Sequence, residues 1–144
     1  MKILLVEDDL KLGKNTAELL QLENYSVDWA HDGREALQYF DVAQVNSYDI
    51  VILDWMLPEL NGLEICKIMR QKYNFQGGII FVTAKGEEED CIQALDTGAD
   101  DYVVKPFGIR ELSARLKAIC RRKNKPFIDK IYVQNTIMIK RSLN

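Results

Sequence analysis

The sequence predicts an α/β fold: a doubly wound, five-stranded parallel sheet with strand order 2-1-3-4-5. Three observations lead there. Apolar runs and helix-period segments alternate from the first residues to about residue 122, giving five strand–helix units. Most of the runs are continuously apolar, as strands covered on both faces must be. Right-handed crossovers between parallel strands then leave few arrangements, and this order is the natural one among them.

The first strand spans 2–6, around Ile3-Leu4-Leu5-Val6. A helix is expected at 10–23, with Asp9 as its N-cap and Leu12, Leu19 and Leu20 near one face. Ser26-Val27-Asp28-Trp29-Ala30 alternates polar and apolar residues, which suits an edge strand. His31-Asp32-Gly33 turns the chain into a helix at 34–45, and 49–53 is strand again. The loop Met56-Leu57-Pro58-Glu59-Leu60-Asn61-Gly62 is held by Pro58 and Gly62 and leads to a helix at 63–72. After a strand at 79–82, Glu87, Glu88, Glu89 and Asp90 favour the positive end of a helix at 87–97. Gly98 suits its left-handed cap. A strand at 101–104 and a helix at 108–122 complete the set, with Ile109, Leu112, Leu116 and Ile119 spaced to face the sheet. Beyond it, 123–144 reads as a linker and the truncated start of a second domain. There Ile131, Val133, Ile137 and Ile139 alternate with polar residues around Asn135-Thr136, like a small hairpin that cannot stand alone.

With 144 residues, 47% of them hydrophobic, the chain has material for one domain and a fragment of another. No run reaches the roughly 18 to 20 apolar residues that span a bilayer. The start, Met1-Lys2-Ile3, lacks the sections of a signal peptide, so a cytoplasmic protein without membrane contact is expected. Cys66, Cys91 and Cys120 are odd in number and widely spaced, which indicates reduced thiols rather than a disulfide framework or a zinc site. The net charge of −3 is unevenly spread. Residues 1–120 carry 12 Lys and Arg against 21 Asp and Glu, whereas 121–144 carry 7 against 1. The acidic body would repel nucleic acid. Arg121-Arg122-Lys123-Asn124-Lys125 suits a helix end running into a solvated linker.

Parallel strands bring their C-terminal ends to one edge, and five polar positions sit there. Glu7 and Asp8 follow the first strand, Asp54 the third, Thr83 the fourth and Lys105 the fifth. Taken singly, an acidic pair after a strand is ordinarily a helix cap, and an Asp before a loop a turn former. Together, three carboxylates need cations, because unit charges about 4 Å apart repel by about 4 kcal/mol at an effective dielectric near 20. Lys105 offsets one charge. The remaining hard oxygen set suits Mg²⁺, which takes one or two carboxylates and keeps water or phosphate on its other positions. The expected chemistry is phosphoryl transfer. Asp54 attacks phosphorus in line, Lys105 and the metal take up charge on the equatorial oxygens, and Thr83 hydrogen-bonds the transferred group. Such a role requires Asp54 to be within reach of an incoming phosphorus. His31, the only histidine, is expected in a loop away from this crevice and is read as structural.

Over residues 1–122 the chain resembles the receiver domain of bacterial two-component response regulators. The matching stretches are Leu5-Val6-Glu7-Asp8-Asp9, Leu53-Asp54-Trp55-Met56-Leu57-Pro58 with Asn61-Gly62, Val82-Thr83-Ala84, and Gly98-Ala99-Asp100-Asp101-Tyr102 through Lys105-Pro106-Phe107. The resemblance implies a flavodoxin- or CheY-like fold, Asp54 as phosphoacceptor and a sensor histidine kinase as donor. It also implies Asp8, Asp54 and the Met56 carbonyl as Mg²⁺ ligands, with Glu7 acting through water. Thr83 and Tyr102 would be the coupled switch pair, Lys105 the phosphoryl contact and Lys105-Pro106 a cis bond. Residues 98–122 resemble the OmpR/PhoB subfamily, whose receivers precede a winged-helix DNA-binding domain. DNA contact would then fall to that C-terminal domain. Activated receivers of this subfamily pair through the face of the fourth helix, fifth strand and fifth helix. Here that implies Ile92, Leu95 and Ala114 as the apolar patch, and Asp100, Asp101, Glu111, Arg115 and Arg122 for ion pairs. Cys91 stands where the subfamily usually carries a lysine facing Glu111, so one such pair lacks its cation. Met56 and Lys85, near the mouth of the site, are expected to govern water access to the acyl phosphate.

Other classes fit less well. A never-phosphorylated interaction module would not need the full site. An Asp-nucleophile phosphatase places a general acid two residues after its nucleophile, whereas Asp8 is followed by Asp9-Leu10. A flavin carrier of similar topology would need a hydroxyl- or glycine-rich first loop for phosphate.

Overall fold

The computed structural model describes residues 1–42, 47–84 and 86–123. Residues 43–45 of the expected second helix, Lys85 and the expected hairpin of 126–144 lie outside the described residues. Five units follow in order: β1 (Lys2–Val6), α1 (Leu10–Leu22), β2 (Ser26–Ala30), α2 (Gly33–Val42), β3 (Ile50–Leu53), α3 (Gly62–Gln71), β4 (Gly78–Thr83), α4 (Glu88–Thr97), β5 (Asp101–Val104) and α5 (Ile109–Arg122). The strands form one parallel sheet in the order β2-β1-β3-β4-β5, as the sequence predicts.

The central strands are apolar on every residue because successive side chains leave on opposite faces and both faces are covered. Leu4, Val6, Val51 and Leu53 pack with Ala36, Phe40, Ile65, Met69 and Ala94 of α2, α3 and α4. Their neighbours Ile3, Leu5, Ile50 and Ile52 pack with Ala17, Leu20, Leu112, Leu116 and Ile119 of α1 and α5. Cys66 and Cys120 are buried in these two layers and Cys91 is partly exposed, and none of the three is in a disulfide. Burial pushes the Cys66 thiol up to about 11, which keeps it protonated and inert.

Caps set the helix ends. Asp9 accepts the Leu12 amide at 3.0 Å and starts α1. Asn61 and Glu64 form a reciprocal capping box, so α3 begins at Gly62 rather than 63. Glu87 and Gly108 prove to be caps rather than first helical residues. Gly98 closes α4 with φ +131°, a value that favours glycine. One helix face differs from expectation. The side of α1 turned inward carries Gly13, Thr16, Ala17 and Leu20, while Leu19 stays 43% exposed. Small residues let α1 lie close to the sheet, and Leu12 and Leu19 instead line a cleft with Pro106, Phe107 and Ile109.

Candidate phosphoacceptor site

The register brings the site together. Leu53 pairs with Val6's strand on one side and is level with Phe81 on the other, so Asp54 and Thr83 leave adjacent strands at the same edge. The Asp54 amide donates to the Val6 carbonyl at 3.1 Å, which carries the pairing of β1 and β3 into the acidic loop. Glu7, Asp8 and Asp54 each offer a carboxylate oxygen, and these oxygens lie within 4.8 Å of one another.

Lys105 spans the cluster. Its Nζ donates to Glu7 Oε1 and Asp54 Oδ2, both at 2.9 Å. Glu7 Oε2 accepts the Asp9 amide at 3.1 Å, and Asp54 Oδ1 accepts the Met56 amide at 3.1 Å. Burial pushes the Glu7 carboxyl above its ordinary value, against the pull of Lys105 and the Asp9 amide. Burial alone would lower Lys105, but its bonds to Asp54 and Glu7 outweigh that and hold the ammonium above its usual value. The Lys105-Pro106 bond is cis, as the resemblance implied.

Asp54 is less open than a phosphoacceptor role would suggest. Asp54 is only 5% exposed, because the ammonium caps one of its oxygens and the Met56 amide holds the other. Asp8 and Met56, by contrast, are exposed at the rim. The donor set fits a hard divalent cation: three carboxylates of which one is solvent-facing, with the Lys105 ammonium against two of them.

Gly62 fixes the acceptor loop from below. A Cβ there would lie 2.2 Å from the Asp54 carbonyl oxygen and 2.8 Å from Trp55 Cα. Backbone cannot rotate aside, so Gly62→Ala is expected to cost about 1–3 kcal/mol, as overpacking does. Gly86→Ala, whose Cβ would meet only Val104 methyls at 3.4 Å or more, should stay within about 0.5 kcal/mol. Urea-denaturation midpoints of the two variants check this.

Thr83 is fully buried at the end of β4, and its carbonyl accepts the Lys105 amide at 2.9 Å. Tyr102, in the middle of β5, stacks on Phe81 at 6.2 Å and meets Trp55 edge-on at 6.4 Å. Burial first, then Asp90 and Cys91, pushes its phenol to about 12. Ile92 and Leu95 of α4 are about half exposed, and so is Val104 of β5, which the sequence reading did not single out. Ala114 is exposed as well. Arg115 pairs with Asp101 and with Glu111, each at 3.1 Å. Asp100 turns its carboxylate into the chain, to Arg70 at 3.0 Å and Lys123 at 3.3 Å, while Arg122 donates to the Asp100 carbonyl. His31 sits on Glu35 at 2.9 Å and against the Trp29 ring. Among the described residues, no helix is long and apolar enough to cross a membrane.

Comparison with known proteins agrees with this geometry. The response regulator receiver domain family matches residues 3–117. The response regulator ArlR of Staphylococcus saprophyticus is 48% identical over 122 residues, 85% of this chain and 53% of that protein. ArlR of Staphylococcus aureus is 48% identical over 129 residues, 89% of this chain and 57% of that protein. The chain thus spans about half the length of the curated relatives it matches. Among solved structures, a Francisella response regulator receiver domain superposes with a TM-score of 0.76 at 34% identity, covering 84% of this chain and 97% of that one. The BeF3-activated N-terminal receiver domain of Klebsiella pneumoniae RstA gives 0.76 at 31% identity, covering 84% and 99%. With a family match over most of its length and relatives 48% identical across it, the chain belongs to the response regulator receiver domain family of two-component signalling.

Proposed function

We propose that this domain accepts a phosphoryl group on Asp54 from the phosphohistidine of a sensor kinase and so switches the output of a cytoplasmic transcription regulator. The observation that carries the reading is Lys105 Nζ held at 2.9 Å from both Glu7 and Asp54, with Asp8 at the open side of the same cluster. Asp54 Oδ2 attacks phosphorus; the O–P bond forms as the N–P bond to the donor imidazole breaks, and the imidazole leaves with a proton. Lys105 leaves Oδ2 for the incoming phosphoryl oxygens, which frees the nucleophile and keeps the ammonium paired throughout. Asp8, Asp54 and the Met56 carbonyl would hold Mg²⁺, with Glu7 acting through water. When bound, the ion neutralises charge on the transferred group. The apolar cleft of Leu12, Leu19, Pro106, Phe107 and Ile109 adjoins Lys105 and offers a donor protein a place to seat.

The product is an acyl phosphate, a modification with a lifetime, so the domain is a stoichiometric switch rather than a turnover enzyme. Thr83 and Tyr102 carry the change from the site to the α4–β5–α5 face, where Ile92, Leu95 and Ala114 pair two copies and Asp101, Glu111 and Arg115 supply ion pairs. DNA is reached through a C-terminal domain. Incubation with a small acyl phosphate and Mg²⁺ tests the reading. One phosphoryl mass should be gained, and only when the metal is present; an unchanged intact mass would return the domain to a non-phosphorylated interaction module.

A further inference from the structure

β2 is an edge strand, yet it sends a side chain to the acidic pocket. Trp29 lies level with Leu5 of β1, and its indole Nε1–H donates to the backbone carbonyl of Glu7 at 2.9 Å. The ring is fitted into place from two sides. Gly13 of α1 leaves the space it occupies: a Cβ there would fall 2.3 Å from Trp29 Cζ2 and 2.7 Å from Nε1. On another side the His31 ring approaches to 4.4 Å between centroids. A phenylalanine would fill only part of this slot and would bring no donor. The carbonyl it would leave belongs to a rigid peptide plane that also contains the Asp8 nitrogen. Turning that plane turns the Asp8 Cα–Cβ direction with it.

We infer that Trp29 is a positioning residue for the acidic pocket, its indole N–H locking the Glu7–Asp8 peptide so that the exposed Asp8 carboxylate stays aimed at a divalent cation. Three hydrogen-bonded groups of Glu7 fix the start of the loop. The Glu7 amide donates to the Ala30 carbonyl at 3.0 Å, extending β1–β2 pairing to residue 7. The Glu7 carboxylate is held by Lys105 and the Asp9 amide. The Glu7 carbonyl is held by Trp29. Amide and carbonyl of one residue are thereby tied to β2, its side chain to the residue that follows β5, and Asp8 is the next residue along. Without the indole bond the loop must be ordered by the metal itself, and that ordering is subtracted from affinity.

The inference rests on the metal reading of the site, and its test separates the two. Calorimetric titration of the metal-stripped chain with MgCl2 alone is compared with the same titration of Trp29→Phe. Trp29→Phe should bind Mg²⁺ about fivefold more weakly, the factor that one hydrogen bond is typically worth. Its metal-free unfolding midpoint should fall modestly and remain a single cooperative transition, since phenylalanine fills the slot above Gly13 only in part. A second measurement leaves Trp29 intact. In Trp55→Phe, whose only indole N–H is that of Trp29, that resonance should shift on adding Mg²⁺ and saturate with the calorimetric affinity. Equal Mg²⁺ affinity in wild type and Trp29→Phe, or an indole resonance that ignores the metal, overturns the inference while the metal reading stands. Wild-type protein that binds no Mg²⁺ overturns both.

Discussion

Asp54→Asn takes up no phosphoryl group from an acyl phosphate and Mg²⁺, while its fold and its metal-free stability persist. The substitution is nearly isosteric. Its side-chain oxygen can still accept the Met56 amide or the Lys105 ammonium, the two partners recorded at 3.1 and 2.9 Å. What disappears is the anionic nucleophile, since a neutral amide does not displace a leaving group from phosphorus at a useful rate. The electrostatic consequences oppose each other. Removing one of three clustered carboxylates relieves repulsion from Glu7 and Asp8, and the same removal weakens the hold on Lys105. These oppose each other at similar distances, so unfolding free energies in EDTA should agree within about 1 kcal/mol. Affinity for Mg²⁺ should fall, because one anionic ligand is lost. Intact-mass spectrometry reads the first outcome directly. An adduct forming on Asp54→Asn as fast as on the wild type would place the acceptor elsewhere and end the assignment to Asp54.

Much of this site is legible in the sequence because it depends on strand ends. Continuous apolar runs identify buried parallel strands, and the residues following them must share one edge whatever the helices do. Glu7, Asp8, Asp54, Thr83 and Lys105 could be placed before any side chain was positioned. Features that depend on how closely two elements approach were not legible in the same way. Hydrophobic periodicity put Leu19 near one face with Leu12 and Leu20, but the buried face is built from Gly13, Thr16, Ala17 and Leu20, and the smallness of Gly13 makes room for Trp29. Small residues carry little weight in an apolar pattern even where they mark the tightest contact. The near-burial of Asp54 was hidden for a related reason: a chain of residues shows which charges converge and says nothing of how completely one covers another. The start of α3 is legible in the sequence, since Asn61 followed three residues later by Glu64 is a capping-box pattern.

Arg70 is the other residue that spacing could not reveal, and Arg70→Ala should cost the domain about 2–4 kcal/mol. In the sequence it is a cation in the last turn of a helix, where an arginine ordinarily complements the helix dipole. In the fold it reaches away from α3 and binds three separate segments. Nε donates to the Gly98 carbonyl at 3.0 Å, Nη1 to the Phe75 and Gly77 carbonyls at 2.8 Å each, and Nη2 to Asp100 Oδ2 at 3.0 Å. The same Asp100 oxygen accepts the Ile79 amide at 2.9 Å. One guanidinium thus ties together the loop before β4, the end of α4 and the start of β5. Removing it strips donors from three carbonyls and leaves Asp100 with Lys123 as its remaining side-chain cation. A fully buried pair broken in this way costs about 3–5 kcal/mol. The lower figure applies here because both side chains keep about a fifth of their exposure and Lys123 stays in place. Arg70→Lys should recover only part of the loss, since a single ammonium cannot span four acceptors. All these contacts lie at the N-terminal ends of the strands, across the sheet from Asp54. Chemical denaturation should therefore report a large drop for Arg70→Ala, while phosphoryl uptake per folded molecule stays at the wild-type level. A drop in uptake beyond the folded fraction would mean that the two ends of the sheet are coupled, and unchanged stability would mean that the fork does not hold the three segments.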